Sequence, residues 1–428
     1  MNNWSLTTLG EIADGPQGFV DGPFGSNLPA SDYTEFGIPV IRGSNLSLGI
    51  QRFKGEEFVF VSNETANRLQ RSQAQANDII VTKKGTIGQT GLVPENSEFS
   101  AFVLSSNQMR LRVDINKADP LFVYYYISSA LSVAKIIQDS EATGVPKTNL
   151  LYFRTFPILL PPLNEQQIIS SILGALDDKI ELNRRMHETL EAMAQAIFRD
   201  WFVDFGPTRR KLSGLTDPIE IMGGLVQDST RAAELAALFP DAIGVNGLPE
   251  GWNEKSVEDT LTLSYGKSLT KSVRQLGDVP VYGSGGVNGT HNTALVQGPG
   301  IIVGRKGTVG SLYWEDQDFF PIDTVFYVEP KQPLIFCYYL LQTLGLDGMN
   351  TDAAVPGLNR SNVYRLAVPY SEETAGAYSD LTTSIRDRIS HNERENQTLA
   401  ATRDLLLPKL MSGETRLRDA EAIAEAAT

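Results

Sequence analysis

The 428-residue chain contains little cysteine and histidine, and its basic residues are too few to balance its acidic ones. Its single cysteine, Cys337, cannot form a disulfide within the chain, and the three histidines are scattered without metal-ligand spacing. The most apolar window, residues 121–137, is interrupted by three tyrosines, three serines and a lysine, which is wrong for a membrane span. No basic-then-apolar segment precedes Trp4. We therefore expect a cytoplasmic protein that binds no metal and no membrane.

The motifs of common enzymes are missing as well. Gly266-Lys267-Ser268 lacks the earlier glycine of a phosphate-binding loop, because Leu261 stands at that position. The glycines of residues 283–289 have the wrong spacing for a dinucleotide-binding loop and predict a turn between strands. Neither a Gly-x-Ser-x-Gly elbow nor an Asn-Pro-Pro-aromatic run for amino-methyl transfer is present. We therefore expect no catalytic site in this chain and no cofactor bound to it.

The deficit of positive charge is uneven along the chain. The 37 basic and 51 acidic residues give a net charge of −14, which argues against a polyanionic partner. Residues 1–157, however, carry 13 basic and 15 acidic residues, and residues 251–369 carry 9 and 11. The remaining acidic surplus lies in residues 158–207, 208–250 and 370–428. The two near-neutral parts can therefore face DNA, but the chain alone is expected to bind it weakly.

An internal repeat is present in the sequence. The run that ends Lys-Lys-Gly-Thr-Ile-Gly at Gly88 recurs as Arg-Lys-Gly-Thr-Val-Gly at Gly310, a shift of 222, and the later helical signature recurs with a shift of 209. Five signals recurring in one order indicate a tandem duplication. The remaining pairs are Trp4 and Trp252, Ile-Pro-Val at 38–40 and Val-Pro-Val at 279–281, Val-Pro-x-x-Asn at 145–149 and 355–359, and Asp-(Lys/Arg)-Ile-x-x-Asn at 178–183 and 387–392.

Within each half, short β-branched and aromatic runs bounded by Gly, Pro, Asn and Asp predict strands. A proline followed by Tyr, Leu and Ile at helical spacing predicts a helical insertion at residues 120–138 and again at 333–344. The predicted fold class is therefore mixed α/β (α+β). The predicted strands include residues 79–82, 102–104, 109–113, 301–303 and 324–328.

Each half ends in a long segment with a heptad pattern, the first beginning at Asn164 as a predicted N-cap. At about 40 residues, each helix would be about 60 Å long, too long for the interior of one small globule. A single such helix would be interpreted as an amphipathic core helix, but two copies in register favour an antiparallel coiled-coil pair. The seam positions are Ile169, Leu173, Leu176, Ile180, Leu190, Ala194, Ile197 and Trp201 in the first helix, and Tyr378, Thr382, Ile385, Ile389, Leu399, Arg403, Leu406 and Leu410 in the second.

Polar residues interrupt both seams at matching places. They are Asn183 and His187 in the first helix, and Asn392 and Asn396 in the second. A buried Asn at a seam position costs stability but fixes the register of the pair. We therefore expect these four residues to set the register between the two helices.

Two equivalent loops follow apolar strands and combine cations, glycine and a hydroxyl. In the first loop Lys83, Lys84 and Thr86, and in the second Arg305, Lys306 and Thr308, are predicted to meet phosphate oxygens together with backbone N–H groups. A hairpin turn whose glycines satisfy the turn geometry and whose lysines are only solvated explains a single copy equally well. The recurrence favours the DNA-binding interpretation modestly.

Two further pairs of loops carry polar side chains that differ between the halves. Arg and Asn are the side chains that read guanine and adenine edges with two hydrogen bonds, and divergence at equivalent loops suits two modules that read different bases. The predicted contacts are Arg42, Ser44 and Asn45 against Tyr282 and Ser284 in one pair of loops, and Lys147 and Asn149 against Asn359 and Arg360 in the other.

Several runs together resemble the specificity subunit of type I restriction-modification systems. The resemblance covers almost the whole chain, and the Pro-Pro-Leu-Asn-Glu-Gln and Leu-Asp-Asp-Lys-Ile-Glu-Leu-Asn runs are specific to that family. Residues 369–373 and 407–413 depart from the corresponding runs of the first half, the latter in a form usual at the C-terminal end. The runs that carry the resemblance are residues 145–149, 161–168, 176–183, 198–205 and 248–252.

The resemblance implies two tandem globular target recognition domains, joined by two long antiparallel coiled-coil helices with an internal pseudo-two-fold repeat. The implied boundaries are 1–157 for the first recognition domain, 158–207 for the first helical spacer, 208–250 for a connector, 251–369 for the second recognition domain and 370–428 for the second helical spacer.

The resemblance also implies partners. Each recognition domain would read one half of a bipartite, asymmetric double-stranded DNA site, while the helices set the spacer and dock two methylation subunits. Restriction and translocase subunits would join for cleavage, and S-adenosylmethionine, ATP and Mg²⁺ would belong to the partners. Two alternatives are a self-contained DNA methyltransferase or nuclease with unrecognised motifs, and a stand-alone coiled-coil DNA-binding regulator.

Overall fold

The computed structural model describes residues 4–49, 51–140, 145–349 and 357–427. By internal contacts the chain divides into two units. Unit 1 comprises residues 1–184 and 393–428, and unit 2 comprises residues 185–392. Both boundaries fall inside long helices, so each unit contains one half of each helix. This division differs from the five consecutive segments expected from the sequence, whose limits stay a prediction.

In its described residues, unit 1 contains three sheets, the N-terminal end of the first long helix and the C-terminal end of the second. The strands described in this unit are β1 (Ser5–Thr8), β2 (Phe19–Asp21), β3 (Tyr33–Thr34), β4 (Ile38–Ile41), β5 (Val59–Val61), β6 (Gln73–Ala74), β7 (Ile79–Thr82), β8 (Thr90–Leu92), β9 (Phe102–Leu104), β10 (Gln108–Leu111) and β11 (Pro157–Leu160). The helices that begin in unit 1 are α1 (Asn63–Arg68), α2 (Pro120–Ser128), α3 (Ala130–Gln138), α4 (Leu150–Arg154) and α5 (Leu163–Phe202).

The described residues of unit 2 form a similar set of sheets and helices, with fewer strands than those described in unit 1. Its strands are β12 (Asn253–Ser256), β13 (Leu261–Tyr265), β14 (Val279–Gly283), β15 (Gly286–His291), β16 (Gly300–Gly304), β17 (Leu312–Glu315), β18 (Phe320–Pro321), β19 (Val325–Pro330) and β20 (Ala367–Tyr370). The later helices are α6 (Gly206–Leu212), α7 (Pro218–Ile221), α8 (Ser229–Ala237), α9 (Val257–Thr260), α10 (Leu334–Thr343), α11 (Arg360–Tyr364), α12 (Glu372–Met411) and, returning to unit 1, α13 (Leu417–Glu425).

The sheets of the two units have equivalent topologies. A four-stranded antiparallel sheet has the order β2-β10-β7-β8 in unit 1 and β13-β19-β16-β17 in unit 2. A second, mixed sheet contains one parallel pair in each unit, β4 with β9 and β14 with β18. The first and last strands pair in a two-stranded sheet, β1 with β11 and β12 with β20. The repeat seen in the sequence is therefore a repeat of fold.

Local sequence explains where the short helices begin. Asp119 accepts a hydrogen bond from the Phe122 N–H and precedes Pro120, so α2 starts with a capped first turn. Ser129 ends α2 and caps α3, so the predicted insertion at residues 120–138 is two helices instead of one. In unit 2 the predicted insertion at 333–344 is the single helix α10.

The heptad pattern correctly locates the apolar seams of α5 and α12. In unit 1, Leu173 and Leu176 are fully buried with Leu399 and Leu406 in the main hydrophobic core. In unit 2, Trp201 and Tyr378 are fully buried, and the Tyr378 hydroxyl donates to the Ala194 carbonyl at 3.0 Å. Asn164, predicted as N-cap, lies in the first turn of α5, because the helix already begins at Leu163.

The connector predicted at residues 208–250 is a folded part of unit 2. Helix α6 overlaps its start, helices α7 and α8 lie within it, and Leu235 and Phe239 are buried in the unit 2 core with Trp252. Trp201 and Phe239 are in edge contact at a centroid distance of 5.1 Å. Within the described ranges no single helix is long and apolar enough to cross a membrane, although α2 and α3, bent by 60°, satisfy length and composition as a pair.

Candidate nucleic-acid interface

The loops with the repeated Lys-Gly-Thr sequence have the same backbone shape in both units. Gly85 and Gly88 have φ angles of 103° and 94°, and Gly307 and Gly310 have 85° and 75°. Side-chain-bearing residues rarely adopt these values, so the glycines fix the turn. The recurrence of glycine therefore reflects turn geometry, as the alternative interpretation of this loop required. The predicted contact residues Lys84, Thr86, Lys306 and Thr308 are exposed on these turns.

Each of these loops is joined to the segment just before the long helix. In unit 1, the Thr148 N–H donates to the Lys83 carbonyl at 2.8 Å, and Lys147 is exposed beside it. In unit 2, the Leu358 N–H donates to the Arg305 carbonyl at 2.8 Å. The structure thus joins the Lys-Gly-Thr loop to the segment just before the long helix in both units. Val355 and Pro356, part of the repeated Val-Pro-x-x-Asn run, lie outside the described residues.

The Asn of that run caps a short helix in each unit, and its predicted DNA contact stays a prediction. Asn149 caps α4, its Oδ1 accepting from the Tyr152 N–H at 2.9 Å, and Asn359 caps α11 by accepting from the Ser361 N–H at 2.9 Å. Ser, Thr, Asp and Asn recur at this position because they satisfy an otherwise unpaired helix N–H group. The recurrence of Asn149 and Asn359 is therefore explained by capping, and a DNA contact by these side chains is not needed to account for it.

Asn45, predicted to read a base edge, is buried in the loop after β4. Its Oδ1 accepts from the Arg42 N–H at 2.9 Å, and its Nδ2 donates to the Lys54 and Glu56 carbonyls at 3.2 and 2.9 Å. The amide is fully buried and its hydrogen-bonding groups are used inside unit 1, so it cannot present an edge to a base in this conformation. Ser44, its neighbour, is exposed.

Arg42 is half-buried and its guanidinium donates to the Glu57 carbonyl at 3.3 Å. In unit 2, Tyr282 is 6% exposed, and its hydroxyl donates to Glu315 at 2.8 Å. The Tyr282 hydroxyl is therefore used inside unit 2 in this conformation, and its base contact stays a prediction. Ser284, in the loop after β14, is half-buried. Its carbonyl accepts from the hydroxyl of Ser311, which follows the Lys-Gly-Thr loop of unit 2, at 2.7 Å.

The structure adds two residues that the sequence did not single out, Asp21 and Tyr265. They end the equivalent strands β2 and β13, each followed by a glycine. Lys83 donates to Asp21 Oδ1 at 2.8 Å, whereas the Arg305 guanidinium lies over the Tyr265 ring at 4.8 Å from its centroid. Arg360, predicted as a contact, lies over the same ring at 5.1 Å. Because Asp21 and Tyr265 are unlike residues, only the alignment of the two strands identifies them as equivalent.

The long helices meet in antiparallel fashion in unit 1. Asn183 is 1% exposed, and its Nδ2 donates to Glu395 Oε2 at 2.5 Å and to Asn396 Oδ1 at 3.1 Å. The structure therefore brings two of the four predicted register residues together. In unit 2, Asn392 is buried and His187 is half-buried. The repeat shift of 209 relates Asn183 to Asn392 and His187 to Asn396. This second pair is therefore the counterpart of the contact between Asn183 and Asn396.

A buried ionic cluster joins α2 and the loop after β4 to the helix pair in unit 1. Asp177 on α5 accepts from Arg403 on α12 at 2.9 Å and from the Tyr125 hydroxyl at 2.7 Å, and Arg52, from the loop after β4, lies 3.9 Å away. Burial alone would lower the pKa of Arg403, but Asp177 and Asp404 outweigh it and leave this pKa above its ordinary value. The pKa of Tyr125 is raised by burial and by Asp177. The arginines of the cluster therefore stay ionised, and the Tyr125 phenol stays protonated.

Comparison with known proteins gives one consistent result. The model of the type I restriction modification DNA specificity domain matches residues 1–192 and 249–370. The specificity subunit of the type I restriction enzyme HindI from Haemophilus influenzae is 26% identical and covers 78% of this chain and 87% of its own. The MjaIX specificity subunit from Methanocaldococcus jannaschii is 22% identical and covers 85% of each chain.

A solved structure shows the same fold. The S subunit of the type I restriction-modification system from M. genitalium covers 96% of both chains with a TM-score of 0.57, at 18% identity. The family match accounts for most of the chain, including both sets of loops described above. The resemblance drawn from the sequence is confirmed, and the chain belongs to the type I restriction modification DNA specificity family.

Proposed function

We propose that units 1 and 2 each read one half of a bipartite, asymmetric site in double-stranded DNA. The observation that carries this proposal is the equivalent corner of the two four-stranded sheets. At that corner both units present exposed cations and hydroxyls on glycine-fixed turns, while the neighbouring side chains differ. A common scaffold supplies phosphate contacts and divergent side chains supply base readout.

The chain itself is proposed to catalyse no reaction. Within the described residues no group of histidine, cysteine, aspartate and glutamate is placed to hold a metal ion. We assign methylation to two methylation subunits and cleavage to restriction and translocase subunits, so that S-adenosylmethionine, ATP and Mg²⁺ are bound by those partners. The proposed ligand is double-stranded DNA, and we propose that the complex acts in the cytoplasm.

Charge supports the dependence on partners. Both recognition parts carry a slight acidic excess, with 13 basic and 15 acidic residues in 1–157 and 9 and 11 in 251–369. Non-specific affinity scales with the number of phosphates that a protein neutralises. We therefore propose that the methylation subunits provide most of the electrostatic affinity and this chain provides the sequence preference.

The helix pair is proposed to set the distance between the half-sites. Helices α5 and α12 each contain 40 residues, and both have a fixed register through seam contacts such as that between Asn183 and Asn396. Because duplex DNA rises about 3.4 Å per base pair, the length of a rigid pair selects the number of base pairs between half-sites.

Selection from random-sequence duplexes tests the recognition function. The full chain is used alone and after assembly with its methylation subunits. The assembled complex should enrich a site with two specified parts and an unspecified spacer, and the chain alone should enrich the same site with much weaker binding. A continuous site, or tight specific binding by the chain alone, would contradict the proposal. Methylation of DNA by the chain with S-adenosylmethionine alone would instead establish a self-contained enzyme.

Lengthening both helices tests the spacer function. One heptad is inserted after Asn183 and one at the equivalent place after Asn392, which preserves the seam. Seven residues lengthen each helix by about 10 Å, so the selected spacer should grow by about three base pairs. The control variant has no insertion. It keeps the length of both helices and has the surface residues of one heptad scrambled at the same places. An unchanged spacer in the lengthened variant would refute the spacer role.

A further inference from the structure

Tyr265 lies at the end of β13 with 49% of its side chain exposed, in the part of unit 2 that carries the predicted contact loops. Two guanidinium groups lie over its ring. The Cζ of Arg305 is 4.8 Å and that of Arg360 is 5.1 Å from the ring centroid. An arginine stacked on an aromatic ring keeps the hydrogen-bonding edge of its planar guanidinium accessible.

Further contacts orient both guanidinium groups. Nη1 of Arg305 donates to the Asp323 carbonyl at 3.1 Å, and Nη1 of Arg360 donates to the Leu263 carbonyl at 3.3 Å. Arg360 also lies 5.6 Å from the Tyr364 ring centroid. Each arginine therefore gives one donor to the protein and is held by a ring, while both side chains remain partly exposed. Such preorganisation lowers the entropic cost of forming a new contact.

The equivalent corner of unit 1 has different chemistry. Lys83 stands where unit 2 has Arg305, and Asp21 stands where it has Tyr265. There the lysine is held by the Asp21 carboxylate at 2.8 Å. The position of Arg360, the first residue after the capping Asn, is occupied by Leu150. At this corner, unit 1 thus has a lysine paired with a carboxylate, whereas unit 2 has two arginines stacked on a tyrosine ring.

We propose that Arg305 and Arg360, positioned by Tyr265, are the specificity determinants of unit 2 and that they hydrogen-bond the major-groove edge of guanine in its half-site. Guanine offers two adjacent acceptors, N7 and O6, which match the fork of an arginine. The inference rests on the proposed function, because it assumes that unit 2 faces DNA. To that function it adds the base that is read and the side chains that read it. Tyr265 acts through the arginines and is a positioning residue.

The test is selection of random-sequence duplexes by the full chain assembled with its methylation subunits. The variants are Arg305→Lys, Arg360→Lys and Tyr265→Leu. The lysine variants retain the charge and lose the planar fork, and Tyr265→Leu removes the ring. Each lysine variant should reduce the preference for guanine at one position of the unit 2 half-site, and Tyr265→Leu should reduce it at the positions of both arginines. The expected reduction is about tenfold or more, since this is the discrimination that one arginine provides by binding N7 and O6 of one guanine. The other half-site should be unchanged.

Two matched controls separate this role from a structural one. Tyr265→Phe keeps the ring and should retain the guanine preference. Arg231→Lys makes the same exchange at an exposed arginine of the connector, paired with Glu234 at 3.1 Å, and should select the wild-type site. Unfolding of unit 2 in Tyr265→Leu would remove selection of its whole half-site, whereas loss of the positioning role removes the guanine preference and leaves the other bases of that half-site selected.

The results also distinguish this inference from the function on which it rests. A wild-type complex that selects no bipartite site would overturn the proposed function. A wild-type bipartite site with lysine and Tyr265→Leu variants that leave both half-sites unchanged would overturn the guanine assignment alone. A uniform loss of affinity for all sequences would overturn it too, because that result assigns the arginines to phosphates.

Discussion

Substitution of Asp177 should destabilise the helix pair of unit 1 far more than substitution of the adjacent Asp178. The Asp177 side chain is 11% exposed and accepts from Arg403 and the Tyr125 hydroxyl, whereas the Asp178 side chain is 71% exposed and contacts only Arg52 among the described ion pairs. Asp177→Ala leaves a buried phenol without an acceptor, at about 1–3 kcal/mol, and removes a charge-assisted hydrogen bond, at about 1.5–3 kcal/mol.

The expected loss for Asp177→Ala is therefore about 3–5 kcal/mol, which agrees with the usual cost of breaking a buried ion pair. Asp178→Ala should cost less than about 1 kcal/mol, as exposed pairs do. Asp177→Asn retains an acceptor for the Tyr125 hydroxyl and should fall between them.

Hydrogen exchange followed by mass spectrometry measures the loss of stability locally, in the part of α12 that contacts Asp177. Peptides within residues 393–411 should exchange at least about a hundredfold faster in Asp177→Ala than in the wild type, because about 1.4 kcal/mol corresponds to a factor of ten. In Asp178→Ala the same peptides should exchange within about fivefold of the wild-type rate. Equal protection in the two variants would refute the assignment of Asp177 as the centre of the buried cluster.

Three further predictions concern local structure. Asn149→Ala and Asn359→Ala should each lower the free energy of unfolding by about 1 kcal/mol, measured by denaturant titration, without changing the selected bases; a changed base would restore the contact role first predicted for them. Burial raises the pKa of the Cys337 thiol to about 12, so near pH 8 only about one molecule in ten thousand carries the reactive thiolate. Iodoacetamide should therefore label Cys337 only when unit 2 opens, and rapid labelling of the folded chain would contradict its burial. Gly310→Ala should destabilise unit 2 by more than about 2 kcal/mol in thermal or chemical unfolding, since its φ is 75° and an added Cβ would lie 2.4 Å from the Asp347 nitrogen; a neutral effect would show that the turn adjusts.

The duplication made much of the fold predictable from sequence. Repeated signals in one order located two equivalent modules, and the heptad spacing located seam residues such as Leu173 and Tyr378, which are buried. Side chains at a regular period report directly which face of a helix is covered. The division into units was not predictable, because each unit combines halves of two helices that are more than 200 residues apart in sequence.

The candidate site was predictable only in part, since recurrence does not distinguish a functional residue from a structural one. Asn149 and Asn359 recur because they cap helices, and the repeated glycines recur because of positive φ angles. Asn45 has the side chain of a base reader but is buried in its own loop. Tyr265 could not be identified from the sequence, because its counterpart is the unlike residue Asp21. Only the pairing of β13 with β19 and of β2 with β10 aligns the two positions.

Sequencing of methylated bases in the genome of the source cells, with and without this gene, tests the central claim most directly. Recognition of two half-sites predicts a methylated site with two specified parts, different in sequence and separated by an unspecified spacer, that disappears when the gene is deleted and returns when it is restored. A methylation pattern that persists after deletion, or a lost site that is continuous and symmetric, would contradict recognition of two different half-sites by units 1 and 2.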